Sequence, residues 1–412
     1  MTRILSCLLS CALPLLTAGA DAALLVTTLA DSVANDGTCS LREAITAANT
    51  NLASGAAAGE CGVGQTPPFD RIDLPAGSFR LTRTGAVDDS NAAGDLDVRR
   101  AGIEIVGAGA DLTEIRGDRK ERVIDVAAGL SPPLPGAAPV VLRGLSLRNG
   151  SDGEGGGIRT AAGWALTIDA CGIANNSADR GGGISAAGTL TVQASTFHGN
   201  VATAVTGPGG GGLHYSGTTP ALLRNVTLNA NESATDGAAA VFTGPAQLNN
   251  VTAAGNISDN DMDDTGDGAI AAFAAVEMAN TLLAANIDFS ILIGGSVSPD
   301  CVGSAANLTS RGYNLVANTG AACLITAQAG DQFGTSVQPI NARLLPFGLY
   351  GGTTETQLPA ATSPAVDTGA PAGAPVPCES VDQRGTARPI GLRCDIGAVE
   401  SDDRIFADGF GI

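Results

Sequence analysis

The sequence predicts an all-β fold: a single-stranded right-handed parallel β-helix with a short N-terminal capping helix and an irregular, disulfide-bonded C-terminal region. Three observations lead to this prediction: a repeat of 24 to 31 residues, asparagines that recur once per repeat, and a composition suited to a thin core. Glycine accounts for 56 of the 412 residues, about twice its usual share, and the aromatic residues are only 10 Phe, 3 Tyr and 1 Trp. Small and aliphatic side chains must therefore fill the interior.

Internal repetition indicates the strand pattern of the central region. Six segments align without gaps, namely VVLRGLSLRNG from Val140, ALTIDACGIANN from Ala165, TLTVQASTFHGN from Thr189, PALLRNVTLNAN from Pro220, PAQLNNVTAAGN from Pro245 and AVEMANTLLAAN from Ala275. One column contains Leu142, Ile168, Val192, Leu223, Leu248 and Met278, and a second contains Leu147, Ile173, Phe197, Leu228, Ala253 and Leu283. Such columns, broken by glycine, are typical of short stacked strands separated by turns.

Asparagines recur at the turns of these repeats. One column contains Asn176, Asn200, Asn231, Asn256 and Asn286, and another contains Asn225, Asn250 and Asn280. Asparagine tolerates left-handed backbone, and its amide can bond to its equivalent in the next coil. The differences in repeat length fall in the turns, as in a solenoid. We therefore predict a β-helix over residues 71–345, whose coils stack about 4.8 Å apart and share one core.

The N-terminal region predicts export and a cap. Residues 1–22, MTRILSCLLSCALPLLTAGADA, have the pattern of a secretory signal peptide, and the apolar run Ile4–Leu16 is too short to span a bilayer. No later transmembrane segment is predicted. Residues 23–70 supply an N-terminal cap, in which Ser40 and Glu43 form a capping-box pattern at the start of a short amphipathic helix.

Seven cysteines follow the signal peptide: Cys39, Cys61, Cys171, Cys301, Cys323, Cys378 and Cys394. An oxidising compartment pairs cysteines, and six of them allow fifteen connectivities. Pairing of neighbours gives three short loops, Cys39 with Cys61, Cys301 with Cys323 and Cys378 with Cys394. Each bridge would contribute about 3 kcal/mol in the chain-entropy model. Cys171 aligns with core positions of the repeats, which predicts a small buried thiol rather than a nucleophile.

Motifs near both ends resemble a known family. CSLREAI at Cys39–Ile45 looks like the signature of the CSLREA-type N-terminal region of secreted bacterial β-helix proteins. In residues 346–400, LYGGTTETQLPAATSPAVDTG, DQRGTARP and CDIGAVE resemble the C-terminal region called choice-of-anchor Q. The tail, residues 401–412, resembles acidic-aromatic tails of other exported proteins, and the glycine-rich middle is generic to pectin-lyase-like β-helices. The resemblance implies a secreted or cell-surface protein, associated with the outer membrane, without an established activity.

Charge and residue placement narrow the function classes. The formal charge of −19, with Lys120 as the only lysine, counts against nucleic acids and anionic membranes as partners, because both are polyanions.

Glycoside hydrolysis commonly needs two carboxylates about 5 to 9.5 Å apart. The aligned outward positions place Asp169 and Glu277 four coils apart, or about 19 Å. His198 and His214 have no aligned partner that would orient them, and we predict both at the surface.

Two acidic segments are candidate sites. In SDNDMDDTGDG, Ser258–Gly268, the candidate metal ligands are Asp259, Asp261, Asp263, Asp264 and Asp267. Their oxygens suit Ca²⁺, but the spacing is not that of an EF-hand, and a solvated acidic loop is the alternative. For Asp88, Asp89, Asp95 and Asp97 in the first coils we predict a solvated acidic turn, and an active site is the alternative. No other cofactor is predicted.

The sequence contains no identifiable catalytic constellation. We therefore predict an exported or cell-surface scaffold that takes part in adhesion or glycan binding along its flank, with an extracellular polysaccharide or a host or cell-surface glycan as partner. The alternative is a carbohydrate-active enzyme, a polysaccharide lyase or glycoside hydrolase of the pectin-lyase-like type. The ligand and the oligomeric state stay open at this stage.

Overall fold

Parallel β-strands form almost all of the regular structure in the described part of the chain, with one α-helix. The computed structural model describes residues 23–64, 70–85, 90–126, 133, 136–263, 266–289 and 299–401. The predicted signal peptide, the predicted tail beyond Ser401, and the predicted acidic residues Asp88, Asp89 and Asp264 lie outside the described residues. Within those ranges, no helix has the length and apolar character needed to cross a membrane.

The helix is α1 (Leu41–Thr50). In chain order the strands are β1 (Leu24–Leu25), β2 (Asp70–Asp73), β3 (Gly77–Arg80), β4 (Leu96–Val98), β5 (Ile103–Val106), β6 (Thr113–Arg116), β7 (Ile124–Val126), β8 (Val140–Arg143), β9 (Ser146–Arg148), β10 (Ser151–Glu154), β11 (Ile158–Thr160), β12 (Ala165–Asp169), β13 (Gly172–Ala174), β14 (Ser177–Arg180), β15 (Ile184–Ala186), β16 (Thr189–Gln193), β17 (Thr196–His198), β18 (Val201–Ala202), β19 (Leu213–Tyr215), β20 (Ala221–Asn229), β21 (Glu232–Ser233), β22 (Ala240–Phe242), β23 (Ala246–Ala254), β24 (Ile257–Ser258), β25 (Ile270–Ala272), β26 (Val276–Ala279), β27 (Leu282–Ala284), β28 (Ile287–Asp288), β29 (Cys301–Gly303), β30 (Leu308–Ser310), β31 (Leu315–Val316) and β32 (Gln332–Phe333).

These strands form three sheets. Sheet I contains β1, β2, β3, β5, β6, β8, β9, β12, β13, β16, β17, β20, β23, β26, β27, β30, β31 and β32; sheet II contains β10, β14, β18, β21, β24 and β28; and sheet III contains β4, β7, β11, β15, β19, β22, β25 and β29. From β8 to β29, each winding of the chain passes through sheet I, then sheet II, then sheet III. Each strand pairs in parallel with its equivalent in the next winding.

The predicted hydrophobic columns lie one above the other in sheet I. Leu142 pairs with Ile168, and Ile168 pairs with Val192, in the predicted register. The same register continues to Met278, and every member of the column is buried. Full burial of an aliphatic side chain contributes about 1.5–3 kcal/mol. These stacked side chains therefore supply a continuous apolar interior, as the repeats predict.

The first asparagine column forms a ladder of buried amides. Nδ2 of Asn176 donates to Oδ1 of Asn200 at 3.0 Å, and Nδ2 of Asn200 donates to Oδ1 of Asn231 at 2.9 Å. The ladder continues through the remaining two asparagines, and it ends where Nδ2 of Asn286 donates to Oδ1 of Asp300 at 2.8 Å. Asp300 suits the last position because a carboxylate only accepts.

The second asparagine column bends sheet I. Asn225, Asn250 and Asn280 have φ values of 52°, 54° and 48°, in the left-handed region. In the earlier windings the equivalent positions, Gly144, Ala170 and Ala194, are left-handed as well. The bend divides sheet I into a first half, with β8, β12, β16 and β26, and a second half, with β9, β13, β17 and β27. Left-handed backbone and bonding between equivalent amides were both expected in both columns, whereas the first column forms the amide ladder and the second adopts the left-handed backbone.

The CSLREA motif builds the cap over the first windings. Ser40 is the N-cap of α1, and with Glu43 it forms the predicted capping box. The guanidinium of Arg42 is buried, forms an ion pair with Asp31 and donates to the carbonyl of Gly94 at 2.5 Å. A charged group this deeply buried needs such partners. The motif is therefore explained by packing and capping.

Residues 346–400 contain little regular structure and lie against the second half of sheet I; we call them the C-terminal cover.

The three disulfides join Cys39 to Cys61, Cys301 to Cys323 and Cys378 to Cys394, which confirms the neighbour pairing. In the cover, Arg388 Nη1 and Glu400 Oε1 form a buried ion pair at 2.5 Å. The motifs that resemble choice-of-anchor Q therefore include residues that hold the cover together. Three disulfides fit a protein that folds in an oxidising compartment.

Candidate functional site

The two outward carboxylates of sheet I that the repeats single out are far apart. Asp169 and Glu277 lie in strands four windings apart, as predicted from the repeats. Asp169 forms an ion pair with Arg143, and Glu277 forms one with Arg311. Asp169 and Glu277 therefore do not form with each other the carboxylate pair that glycoside hydrolysis needs.

The candidate metal ligands separate into two groups. Three of them have carboxylate oxygens within 4.8 Å of one another: Asp259, Asp261 and Asp263. Asp267 lies beside Asp236 instead, and its backbone N–H donates to Asp236 Oδ1 at 2.7 Å. Burial, and next the charge of Asp236, raise the pKa of Asp267. The structure thus assembles a smaller cluster than the sequence suggested.

Asp95 belongs to a partly buried charge cluster and Asp97 is buried, so the prediction of a solvated turn is wrong for both. Arg122 Nη1 lies 3.0 Å from Asp95 Oδ2 and 2.7 Å from Asp125 Oδ2, while Nη2 lies 2.7 Å from Asp152 Oδ2. Burial raises the pKa of Asp95 to about 6, although the charge of Arg122 opposes the rise. Asp97 is buried in sheet III, where β4 pairs with β7. Stacking the strands brings these groups together, which spacing alone did not reveal.

The C-terminal cover docks on the asparagines of the bend. Nδ2 of Asn225 donates to the carbonyl of Val381 at 2.9 Å, and Oδ1 of Asn250 accepts from the N–H of Glu379 at 2.9 Å. Asn280 likewise accepts a backbone N–H of the cover at 2.8 Å. The predicted open flank is therefore occupied in these windings by the protein's own chain.

A cleft of about 260 Å³ opens between the cover and the earlier windings of sheet I. Its floor includes Gly172 and Ala174 of β13, which the strand register places between the larger side chains of β9 and β17. The polar side chains that line it are Asp111, Ser146, Arg148, Thr196, His198, Thr353, Thr354 and Glu355. Small residues in the central strand and larger ones on both sides give the floor its concave shape.

Arg148 and Glu355 face each other across this cleft. Arg148 Nη2 lies 4.0 Å from Glu355 Oε2, and Arg148 Nε lies 3.5 Å from Glu114 Oε2. The hydroxyl of Thr196 donates to the backbone carbonyl of Glu355, which ties this wall of the cleft to β17. The side chains of Arg148 and Glu355 are 32% and 40% exposed, so water and ligand can reach them.

His198 is held in place, contrary to the predicted unoriented surface residue. Its Nδ1 lies 3.0 Å from Asn229 Oδ1, and its ring stacks on Phe347 with centroids 4.4 Å apart. Asn229 Nδ2 donates to the carbonyl of Ala254 and to Gln357 Oε1, so its Oδ1 must be the acceptor for His198. In the neutral ring the proton is then on Nδ1, and Nε2 is an acceptor.

His214 and Cys171, which the sequence also singled out, are both buried in the fold. His214 is buried in β19 rather than exposed, so that prediction is wrong, and burial lowers its pKa. Cys171 is a free, fully buried thiol, as predicted, and burial raises its pKa to about 12. A thiol with that pKa has almost no thiolate at neutral pH, which excludes it as a nucleophile.

Sequence reasoning missed the cleft because residues from three distant segments form it. The loop before β6 contributes Asp111, the repeats contribute Arg148 and His198, and the cover contributes Glu355. One signal was present: the bend column has asparagines, which bind the cover through their amides, in three windings, and Gly144, Ala170 and Ala194 in the earlier windings.

The cleft can act as a recognition site for a polar, uncharged ligand. Arg148 supplies N–H donors, Glu355 supplies acceptors, and His198 adds an imidazole, all within one hollow. Ligand sites usually combine a concave shape with a few placed polar groups. A ligand with many hydroxyls would satisfy donors and acceptors alternately.

Comparison with known proteins identifies no relative: no family model matches the chain, and neither a curated protein nor a solved structure matches it.

Proposed function

We propose that the protein is an exported, single-stranded right-handed parallel β-helix that binds a glycan in the cleft between sheet I and the C-terminal cover. The observation that carries the proposal is the placement of Arg148, Glu355 and His198 around one concave floor. A sugar ring offers hydroxyls that both donate and accept, so it complements a wall with both kinds of group.

The architecture supports the β-helix part of the proposal. The three parallel sheets and the recurring order of their strands are those of a chain that coils. Parallel strand connections are right-handed in about 98% of cases, which favours a right-handed coil.

The end regions support membership of the CSLREA-type group with a choice-of-anchor Q region. Buried Arg42 in the cap and the buried pair of Arg388 with Glu400 in the cover give structural roles to the residues that carry the resemblance. Such proteins are secreted or attached to the cell surface, and we extend that location, with outer-membrane association, to this one. Fractionation of producing cells tests it, because a cytoplasmic protein would contradict it.

Glycan binding is tested with an array of extracellular polysaccharides and cell-surface glycans, followed by calorimetry with the best ligand. We expect Arg148→Ala to weaken binding about tenfold or more, since it removes charged donors from the cleft. Arg143→Ala is the matched control, because Arg143 lies in the same winding but in the first half of sheet I. Equal affinities of the two variants, or no glycan bound, would reject the proposal.

One observation favours the enzyme alternative: two carboxylates, Asp111 and Glu355, line the same cleft as an imidazole. A lyase or hydrolase of the pectin-lyase-like type would release unsaturated products or reducing sugars from a polysaccharide. Turnover that disappears in Glu355→Gln while the variant stays folded would establish catalysis and replace the binding scaffold as the function.

A further inference from the structure

The turn between β24 and β25 contains a cluster of three aspartates that is separate from the cleft. Asp259, Asp261 and Asp263 alternate along the chain, and one carboxylate oxygen of each lies within 4.8 Å of the others. Asp261 and Asp263 are exposed, while Asp259 is completely buried at the base of the turn. Three formal negative charges thus converge on a small volume that solvent can reach from one side.

Asp259 provides the second observation. Its Oδ1 accepts the N–H of Asp263 at 3.0 Å, but its buried Oδ2 has no hydrogen-bond partner. In the described part of the chain, neither Asp259 nor Asp261 forms an ion pair with an arginine or lysine. A buried carboxylate oxygen without a partner is costly unless a cation or donor satisfies it.

We infer that Asp259, Asp261 and Asp263 bind a divalent cation, and that the cation is Ca²⁺. The donor set consists of carboxylate oxygens, which hard cations prefer, whereas Zn²⁺ favours nitrogen and sulfur ligands. Ca²⁺ accepts irregular geometry with six to eight oxygens, including backbone carbonyls and waters, while Mg²⁺ demands a near-ideal octahedron. A short turn with one buried and two exposed carboxylates suits the more tolerant ion.

The surroundings strengthen the attraction for a cation. Asn260 Nδ2 donates to Glu232 Oε2 at 3.2 Å, which places a further carboxylate beside the turn. The carboxylate of Glu232 adds negative potential there. Extracellular calcium modules with few charged ligands bind in the range of about 10⁻⁴–10⁻³ M, and we expect an affinity at the tighter end of this range.

Calorimetric titration of the full-length mature protein with CaCl₂, and separately with MgCl₂, tests the inference. We expect one Ca²⁺ per chain with a dissociation constant of about 10⁻⁴ M, and much weaker Mg²⁺ binding. Thermal unfolding in 5 mM CaCl₂ compared with EDTA should shift upwards by about 2–3 °C, because the ion binds only the folded turn.

Variants decide whether the assigned carboxylates are responsible. Asp259→Asn and Asp261→Asn each remove a charge with little change in shape, and both should abolish the heat of binding and the Ca²⁺-dependent shift. Asp179→Asn is the control, because Asp179 is an exposed aspartate in β14 of sheet II. This variant should keep the heat of binding and the Ca²⁺-dependent shift. No binding by the parent protein, binding retained in Asp259→Asn and Asp261→Asn, or Mg²⁺ bound as tightly as Ca²⁺ would each overturn the inference.

Discussion

At the residue scale, the asparagine ladder shows how a narrow core can contain polar groups. Each internal amide, such as that of Asn231, accepts two N–H groups of the preceding asparagine and donates to the next amide and to a carbonyl. All its donors and its acceptor are thereby used. A buried polar network in this state stabilises a single register, because a shifted winding would leave amides unpaired.

Asn231→Ala should therefore destabilise the protein strongly. The change leaves the N–H and Nδ2 of buried Asn200 without their acceptor, at a cost of about 1–3 kcal/mol for each donor. We expect the free energy of unfolding, measured with denaturant, to fall by about 2–6 kcal/mol. Asn341→Ala, at an exposed asparagine in a loop, is the control. A similar loss in both variants would mean that the ladder has no special role.

At the element scale, residues at the bend of sheet I share a left-handed backbone but differ in whether their side chains bind the C-terminal cover. Asn225, Asn250 and Asn280 use left-handed backbone and also bind the cover through their amides. Ala170 and Ala194 adopt the same backbone without an amide to offer. The three asparagines therefore hold the cover through their side chains, whereas the winding of Ala194 contacts the cover through its backbone carbonyl, which accepts from Thr354 Oγ1 at 3.2 Å.

Asn250→Gly should loosen the cover without disturbing the bend, because glycine keeps the left-handed backbone. The variant loses the bonds from Glu379 N–H and to the Gly397 carbonyl. We expect a loss of about 2–3 kcal/mol and faster cleavage of the cover in limited proteolysis. Ala194→Gly is the matched control: it changes the equivalent bend and removes no side-chain hydrogen bond, so its cover should resist cleavage as in the parent. Equal cleavage rates would contradict the docking role.

The elements that sequence could predict are those with a local or periodic signal. The core columns, the helix with its Ser40 cap, and the neighbour disulfides each follow from spacing along the chain. The cover has no period, so nothing in its sequence indicated that it lies over Asn250, and the cleft beneath it was not foreseen. The partners that orient His198 were missed for the same reason, since its stacking partner Phe347 is 149 positions away.

At the scale of the whole molecule, three separate parts of the described chain each contain a carboxyl group whose pKa is raised far above its usual value. Burial raises the pKa of Asp95 to about 6 in the first windings, that of Asp300 to about 6 at the end of the ladder, and that of Asp395 to about 7 in the cover. Each pKa is above that of an unfolded aspartate, so the folded state binds protons more readily than the unfolded chain.

The sign of the pH dependence follows. Between about pH 4 and each folded pKa, the folded protein holds a proton that the unfolded chain has lost, so stability decreases as pH rises. Each such group contributes about 1.4 kcal/mol per pH unit in that window. His214 acts in the opposite direction near pH 6, because burial lowers its pKa and the unfolded state then binds the extra proton. Three carboxyls outweigh one imidazole below pH 6.

We therefore expect the free energy of unfolding, measured with denaturant, to decrease from pH 4.5 to 6. Most acid-sensitive proteins show the reverse, since their carboxylates are stabilised when charged. Asp300→Asn should reduce this slope, because it deletes one of the titrating carboxyls, even though the amide would place a donor against the N–H of Asn318 and lower stability at every pH. A stability that rises across this range, or an unchanged slope in the variant, would show that these carboxyls stay ionised inside the fold.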